Sequence, residues 1–250
     1  MGRQAQESER FSLVSVNTDR SLEREHSDFF NRHCNLLKSD VRGYGYWIWK
    51  PYLINYALRS WGRHVDYVLY VDSGCEINAI PESQKRWIDY LNTMNCDTGR
   101  LVMQMNHHAE HVWSKNDTLT ALGLDWESRI SGQILSGVAA FRVDEANVQI
   151  TQEWLDLCIL DNHHLLDDTA SRIPNHSEFR EHRHDQAIFS GLIKLHGSAI
   201  LPDETYWAPN WEFAGREFPI WAARNRTRVS VRDRSFFGKI LRLIDQLNQR

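Results

Sequence analysis

The sequence contains no apolar run near the roughly 18 consecutive residues that a membrane-spanning helix needs, which excludes a helical span by sequence. Cysteine is scarce. Cys34, Cys75, Cys96 and Cys158 are scattered, with no CxxC pair and no framework spacing, and read as reduced thiols in a reducing compartment. An excess of positive charge is also missing: the net charge is −4 and the pI near 6.3, which argues against a nucleic-acid partner. Met1 to Arg10 is polar and charged, unlike a secretory signal, and together these absences point to a cytoplasmic protein. No internal repeat or low-complexity stretch is found. Tryptophan is the exception to this plainness. Ten is an unusual number; any single one reads first as core, and Trp rings also bind the flat faces of sugars.

Hydrophobic spacing supplies the organisation. Phe11–Val16 alternates and reads as a first strand, and Ser21–Lys38 has helical spacing. Pro51 suits the first turn of a helix running to Trp61. Val65–Val71 is a nearly continuous apolar run, as a buried strand requires, and it ends in Asp72-Ser-Gly74. A helix over Glu82–Leu91, a strand over Leu101–Met105 and a helix from about Ser114 follow. Gln133–Val143 reads as strand interrupted at Ser136-Gly137, Asp144–Leu160 as helix, and Asp185–Leu195 as a helix closed by Gly197. Alternating strands and helices predict an α/β sheet.

Three segments carry candidate chemistry. In Arg42–Pro51, Gly43 and Gly45 permit close backbone approach. Tyr44, Tyr46, Trp47 and Trp49 offer stacking faces, and Arg42 and Lys50 offer cations for phosphate. Asp72, followed by Ser73, stands where a strand opens into a loop, a place from which a carboxylate can grip a metal or accept from sugar hydroxyls. In Glu181–Gln186, Asp185 falls in the first turn of a helix, with His182 and His184 as candidate acid, base or metal groups and Gln186 beside them.

The blocks Arg42-Gly-Tyr-Gly-Tyr-Trp-Ile-Trp-Lys-Pro51, Val68-Leu-Tyr-Val-Asp-Ser-Gly-Cys75 and His182-Arg-His-Asp-Gln-Ala-Ile-Phe-Ser190 resemble those of bacterial GT-A-type glycosyltransferase-like proteins associated with surface polysaccharides. The Ser136-Gly137-Val-Ala-Ala-Phe-Arg142 segment is similar to that fold's acceptor-side strand. The resemblance implies a GT-A-like, Rossmann-like α/β fold with a mixed central sheet flanked by helices, spanning residues 1–223. It further implies a nucleoside-diphosphate-sugar donor and a glycan or lipid-linked acceptor. The donor diphosphate would lie near Asp72 as metal ligand, residues 42–47 and 50 would line the donor pocket, and Ser73, Gly137, His182, His184 and Gln186 would contact substrate. Asp185 would face the transferring sugar or the acceptor and serve as general base if the reaction inverts configuration. The family's Asp-x-Asp pattern meets Gly74 at its second carboxylate, so Mn²⁺ or Mg²⁺ dependence is open, with Lys50, Arg42 or a histidine as the alternative positive charge.

Two other classes remain. His107-His-Ala-Glu110-His111 satisfies H-x-x-E-H, and on one helix His107 and His111 would bind zinc while Glu110 polarised water. A non-catalytic sugar-binding protein on the same fold is the third reading. Residues 224–250 form a separate basic tail with eight basic residues against Asp233 and Asp245. Phe236, Phe237, Ile240, Leu241, Ile244 and Leu247 fall on one helical face, a pattern suited to peripheral contact with the inner face of an anionic membrane.

Overall fold

A computed structural model describes residues 1–95, 97–205 and 211–223, and the basic tail lies outside these. In chain order, α1 (Gly2–Glu7), α2 (Asp19–Glu25) and α3 (Ser27–Leu37) precede a tight turn, α4 (Gly43–Tyr46), and the long α5 (Trp49–Trp61). Next come β1 (Tyr67–Val71), β2 (Glu76–Ile77), α6 (Gln84–Met94), β3 (Arg100–Ala109) and the short helices α7 (Glu110–Trp113), α8 (Asn116–Ala121) and α9 (Trp126–Ile130). The chain continues with β4 (Gly132–Arg142), α10 (Glu145–His163), α11 (His184–His196), β5 (Ala199–Pro202), α12 (Trp211–Ala214) and β6 (Ile220–Trp221).

The main sheet has the order β1-β4-β3-β5, and β2 pairs with β6 in a separate two-stranded sheet. β4 runs antiparallel to both β1 and β3, while β3 and β5 are parallel, so the sheet is mixed. β4 is central and covered on both faces, and its side chains alternate between two cores, as the period of a strand dictates. Ala139 and Phe141 join Ile54, Leu58, Trp154, Ile188 and Leu192 from α5, α10 and α11. Val138 and Ala140 join Trp87, Tyr90 and Met94 of α6, together with Leu101, Met103 and Ile220. Helices therefore flank both faces of the sheet. Burying such side chains contributes roughly 1.5–3 kcal/mol each, against the entropy of ordering them.

Several local expectations change. Phe11–Val16 makes no strand. It crosses the second face as an extended segment, with Phe11 edge-on to Trp87 at 5.2 Å, while Leu13 and Val16 stay exposed. Alternation without a free partner strand does not make a ladder. β4 is one continuous strand, but its ladder with β3 breaks register at the expected Ser136-Gly137 interruption: Val102 opposes Ala139 and Gln104 opposes Ile134, while the β1 ladder stops at Val138. Short β5 and β6, unmarked by any long apolar run, complete the two sheet edges. α10 ends in the left-handed residues Asp161, Asn162 and His163, which turn the chain back over the first face. Among the described residues, no helix is long and apolar enough to cross a membrane.

His33 of α3 is buried in this face, against Phe29 and 3.4 Å from His163. Burial, then the nearby His163 and Arg32, push its pKa from 6.5 down to about 4. The unfolded chain therefore takes up this proton first. The contribution is fully present above pH 6.5 and is lost as pH falls towards 4. Full expression of that difference is worth about 3 kcal/mol. Urea unfolding between pH 4 and 7 should lose stability on that scale, and His33→Leu should flatten the slope. An unchanged slope would show that His33 does not set it.

Candidate functional site

The turn before α5 is unusual. Gly43, Tyr44, Gly45, Tyr46 and Trp47 all have positive φ, between 53° and 83°, closed by Tyr46 N–H to Arg42 O at 2.8 Å and Trp47 N–H to Gly43 O at 3.2 Å. Three of these are bulky L-residues, each paying about 1–2 kcal/mol for the left-handed region. Packing holds them there. Tyr46 stacks on His184 with ring centroids 4.6 Å apart, Trp47 tilts over the same ring at 5.7 Å, and the Trp49 indole N–H donates to Gly43 O. At Gly43 even a methyl group would meet the Trp47 ring at 2.1 Å. This turn delivers Lys50 into the first turn of α5, aimed at the sheet.

Lys50 is 2% exposed. Its Nζ lies 2.9 Å from Asp185 Oδ2, 3.6 Å from Asp72 Oδ1 and 3.0 Å from Ser136 Oγ. The Ser136 hydroxyl donates in turn to Asp185 Oδ2 at 2.9 Å. Asp72 follows β1, its N–H bonded to Gly137 O and its Oδ1 accepting from the Tyr70 hydroxyl at 2.7 Å. Tyr70 and Asp72 are two apart and so share a face. Gly137 provides the seat, because a Cβ there would stand 2.8 Å from Asp72 Oδ2. The first block, β1, β4 and the third block thus converge on one ammonium.

Burial is the largest influence on the Lys50 ammonium and would lower its pKa, but Asp185 and Asp72 outweigh it and raise the value. Burial raises the Asp185 carboxyl, and Lys50 draws it back. Burial and then Asp72 hold the Tyr70 hydroxyl well above its ordinary range, so it remains a donor. Cys75 is pushed up to about 12, chiefly by burial, and is no nucleophile at neutral pH. Counted at formal charge, two aspartates around one lysine sum to −1.

The exposures differ along this chain of groups. The Asp72 side chain is 41% exposed and that of Asp185 only 4%. Asp185, expected to face a sugar or an acceptor, is buried in this structure. With Lys50 and Ser136 on its carboxylate and the Trp154 indole N–H on its carbonyl, it braces the cation from beneath. The two histidines also take other roles. His182 donates from Nε2 to Leu165 O and accepts the Lys115 N–H at Nδ1, while burial holds its pKa well below normal. His184 donates from Nδ1 to Leu166 O, and burial likewise lowers its pKa. Both are neutral supports. Gln186 bridges the Ser136 N–H and Gln133, again a brace. Arg42 stays at the surface, 3.3 Å from Glu181, linking the first and third blocks. Ser73 is exposed in the turn beyond Asp72.

Ser136 and Tyr70 were missed as site residues. The available signals were a hydroxyl inside an apolar strand and a tyrosine two residues before the strand-end aspartate. The H-x-x-E-H segment does not form the expected helix face. His107 is exposed on β3, whereas Glu110 is fully buried in α7, bound by Lys194 at 2.7 Å, Ser114, Gln133 and Ser190. A glutamate so neutralised cannot polarise water for an ion held by His107 and His111. A cavity of about 280 Å³ lies elsewhere, between the N-terminal segment and the sheet, lined by Phe11, Trp87, Tyr90 and Val138 among others. Set against protein-family models, curated proteins and solved structures, the chain matches none of them.

Removing Lys50 leaves Asp72 and Asp185 without their shared counter-charge. Lys50→Met should cost about 3–5 kcal/mol in urea unfolding, and Asp185→Asn added to it should recover part of the loss. Strict additivity of the two substitutions would refute the coupling.

Proposed function

We propose that this protein is a glycosyltransferase that takes a sugar from a nucleoside diphosphate and passes it to a hydroxyl of a glycan or lipid-linked acceptor, using the GT-A-like fold that its sequence blocks imply. The observation that supports this most is the meeting of Lys50, Asp72 and Asp185, from three distant blocks, at the end of β1. Breaking a sugar–diphosphate bond builds positive charge at the anomeric carbon and negative charge on the departing phosphate. A site for it needs fixed charge of both signs and a reachable carboxylate.

Asp72 is the reachable carboxylate. It suits sugar or ribose hydroxyls, or a Mg²⁺ or Mn²⁺ shared with the diphosphate, since such ions take one or two carboxylates and fill the rest of their shell with phosphate and water. The formal −1 around Lys50 fits that cation, and Gly74 adds no second carboxylate. The ion would neutralise the departing phosphate. Asp185 and Ser136 hold Lys50 charged and pointed at Asp72, and Tyr70 fixes the rotamer of Asp72. Half-buried Trp47 presents aromatic surface beside the third block, Tyr46 lies buried against His184, and exposed Arg42 is a cation for phosphate. On this reading Asp185 is a positioning residue.

One observation favours the binding-only alternative: the second carboxylate is buried. Turnover separates the two. A thermal-shift series with UDP-, GDP-, CMP- and dTDP-linked sugars, with and without Mn²⁺, should give one stabilising donor. Saturation at about 100 times Kd is worth about 2.7 kcal/mol, roughly 5–10 °C for a domain of this size. Asp72→Ala should abolish most of that shift, and release of free nucleotide with acceptor should follow for the wild type. No shift with any donor would overturn the proposal, and a shift without turnover would leave a sugar-binding protein.

A further inference from the structure

We propose that His111, His176 and Glu178 form a Zn²⁺ site that clamps the 168–183 connection to α7. One ligand atom from each residue lies within 4.8 Å of the other two. Glu178 Oε2 is 3.0 Å from His111 Nε2 and 3.8 Å from His176 Nδ1. Two donors on a tetrahedral zinc, each 2.0–2.2 Å from the ion, stand about 3.3 Å apart, so these separations bracket what the ion requires. Two imidazoles and a carboxylate are a donor set that suits zinc over magnesium or calcium.

The hydrogen bonding of His111 is the second observation. Its Nδ1 lies 3.0 Å from Arg129 O, and a carbonyl oxygen only accepts, so Nδ1 carries the hydrogen. In the neutral ring Nε2 then presents a lone pair to a carboxylate at 3.0 Å, acceptor against acceptor. A cation between them resolves the conflict, and a backbone carbonyl fixing the far nitrogen is the usual support of a zinc-bound histidine. The His176 ring packs on His111 at 4.4 Å, and Trp126 flanks both at 5.6 and 5.7 Å. Glu178 is 68% and His176 36% exposed, which leaves the fourth coordination position to water. A hollow of about 190 Å³ beside His111 and His176, lined also by Asn116, Arg129 and Asn175, gives the ion an entry.

The consequence is mechanical. The connection from α10 to α11 carries His176 and Glu178 and ends at His182, His184 and Asp185. It is already tied to α7 and α8 by Arg180 N–H to Val112 O, Asn116 N–H to Asn175 and Arg172 and Ile173 N–H to Asp117. Zinc adds a coordinate link from the same connection to α7. The site is separate from Asp72 and does not depend on the transferase reading.

The test is a titration of chelator-treated full-length protein with ZnCl₂, and with Co²⁺ for its visible spectrum. One equivalent should bind with a Kd of about 1 µM or below. Co²⁺ should show the intense bands of a tetrahedral site, and Zn²⁺ should raise Tm. His176→Ala and Glu178→Gln, both at exposed positions, should each weaken binding about tenfold or more and remove the Tm rise, while Asp72→Ala should leave the zinc stoichiometry at one. No saturable binding at roughly 1 mM zinc would overturn the proposal. Binding unchanged in both variants would place the ion elsewhere and overturn it equally.

Discussion

An ammonium cannot be taken out of water without a counter-charge, and the interior of this protein is arranged around that constraint at Lys50. The cost of burying the cation is several kcal/mol, and it is offset only because two carboxylates and a hydroxyl converge on it. Each partner arrives by a different route. Asp72 comes off the end of an edge strand, Ser136 from the middle of the central strand, and Asp185 from the first turn of a helix more than a hundred residues after Lys50. A shift of any one element by an ångström or two would strand a charge. The ion cluster therefore fixes the relative placement of α5, β1, β4 and α11 more strictly than apolar contacts, which tolerate repacking.

That requirement accounts for the strained turn. α5 must start with Lys50 buried in its first helical turn and pointing at the sheet, directly after a chain arriving from α3. The left-handed residues 43–47 reverse the path in one turn and place Tyr46 against His184. His184 is itself left-handed, with φ of 51°, at the start of α11. Two unfavourable backbone segments thus lean on each other through an aromatic stack, beside the ion cluster. Strain of this kind persists only where the surroundings over-determine it, and it concentrates at working sites.

The elements with a strong period were legible in the sequence: α5, β1, β4, α10 and α11 lie within a few residues of their expected limits. Lys50, Asp72 and Asp185 were also legible, because their residue types and settings were unusual. Their division of labour was not. Burial separates two chemically identical aspartates into a reachable one and a sealed one, and burial is a tertiary property. The same applies to His182 and His184. A histidine-rich helix start suggests proton chemistry until the carbonyls of Leu165 and Leu166 are seen to take the ring N–H groups. H-x-x-E-H illustrates the opposite error. The spacing is meaningful only on a helix, and here β3 runs through Ala109 before the helix begins at Glu110. Phe11–Val16 failed for want of a partner, which alternation alone does not report.

The exposure gradient along Asp72, Lys50 and Asp185 bears most directly on chemistry. A reachable carboxylate alone would attract cations and repel a diphosphate, whereas a reachable ammonium alone would do the reverse. Setting the ammonium one layer below the carboxylate gives a surface that first presents negative charge, with fixed positive charge close behind it. Such a layered dipole suits a ligand that brings hydroxyls or a divalent ion to the carboxylate and anionic oxygens nearby. The buried Asp185 keeps the ammonium charged, and through Lys50 it holds in place the one aspartate that solvent, and any ligand, can reach.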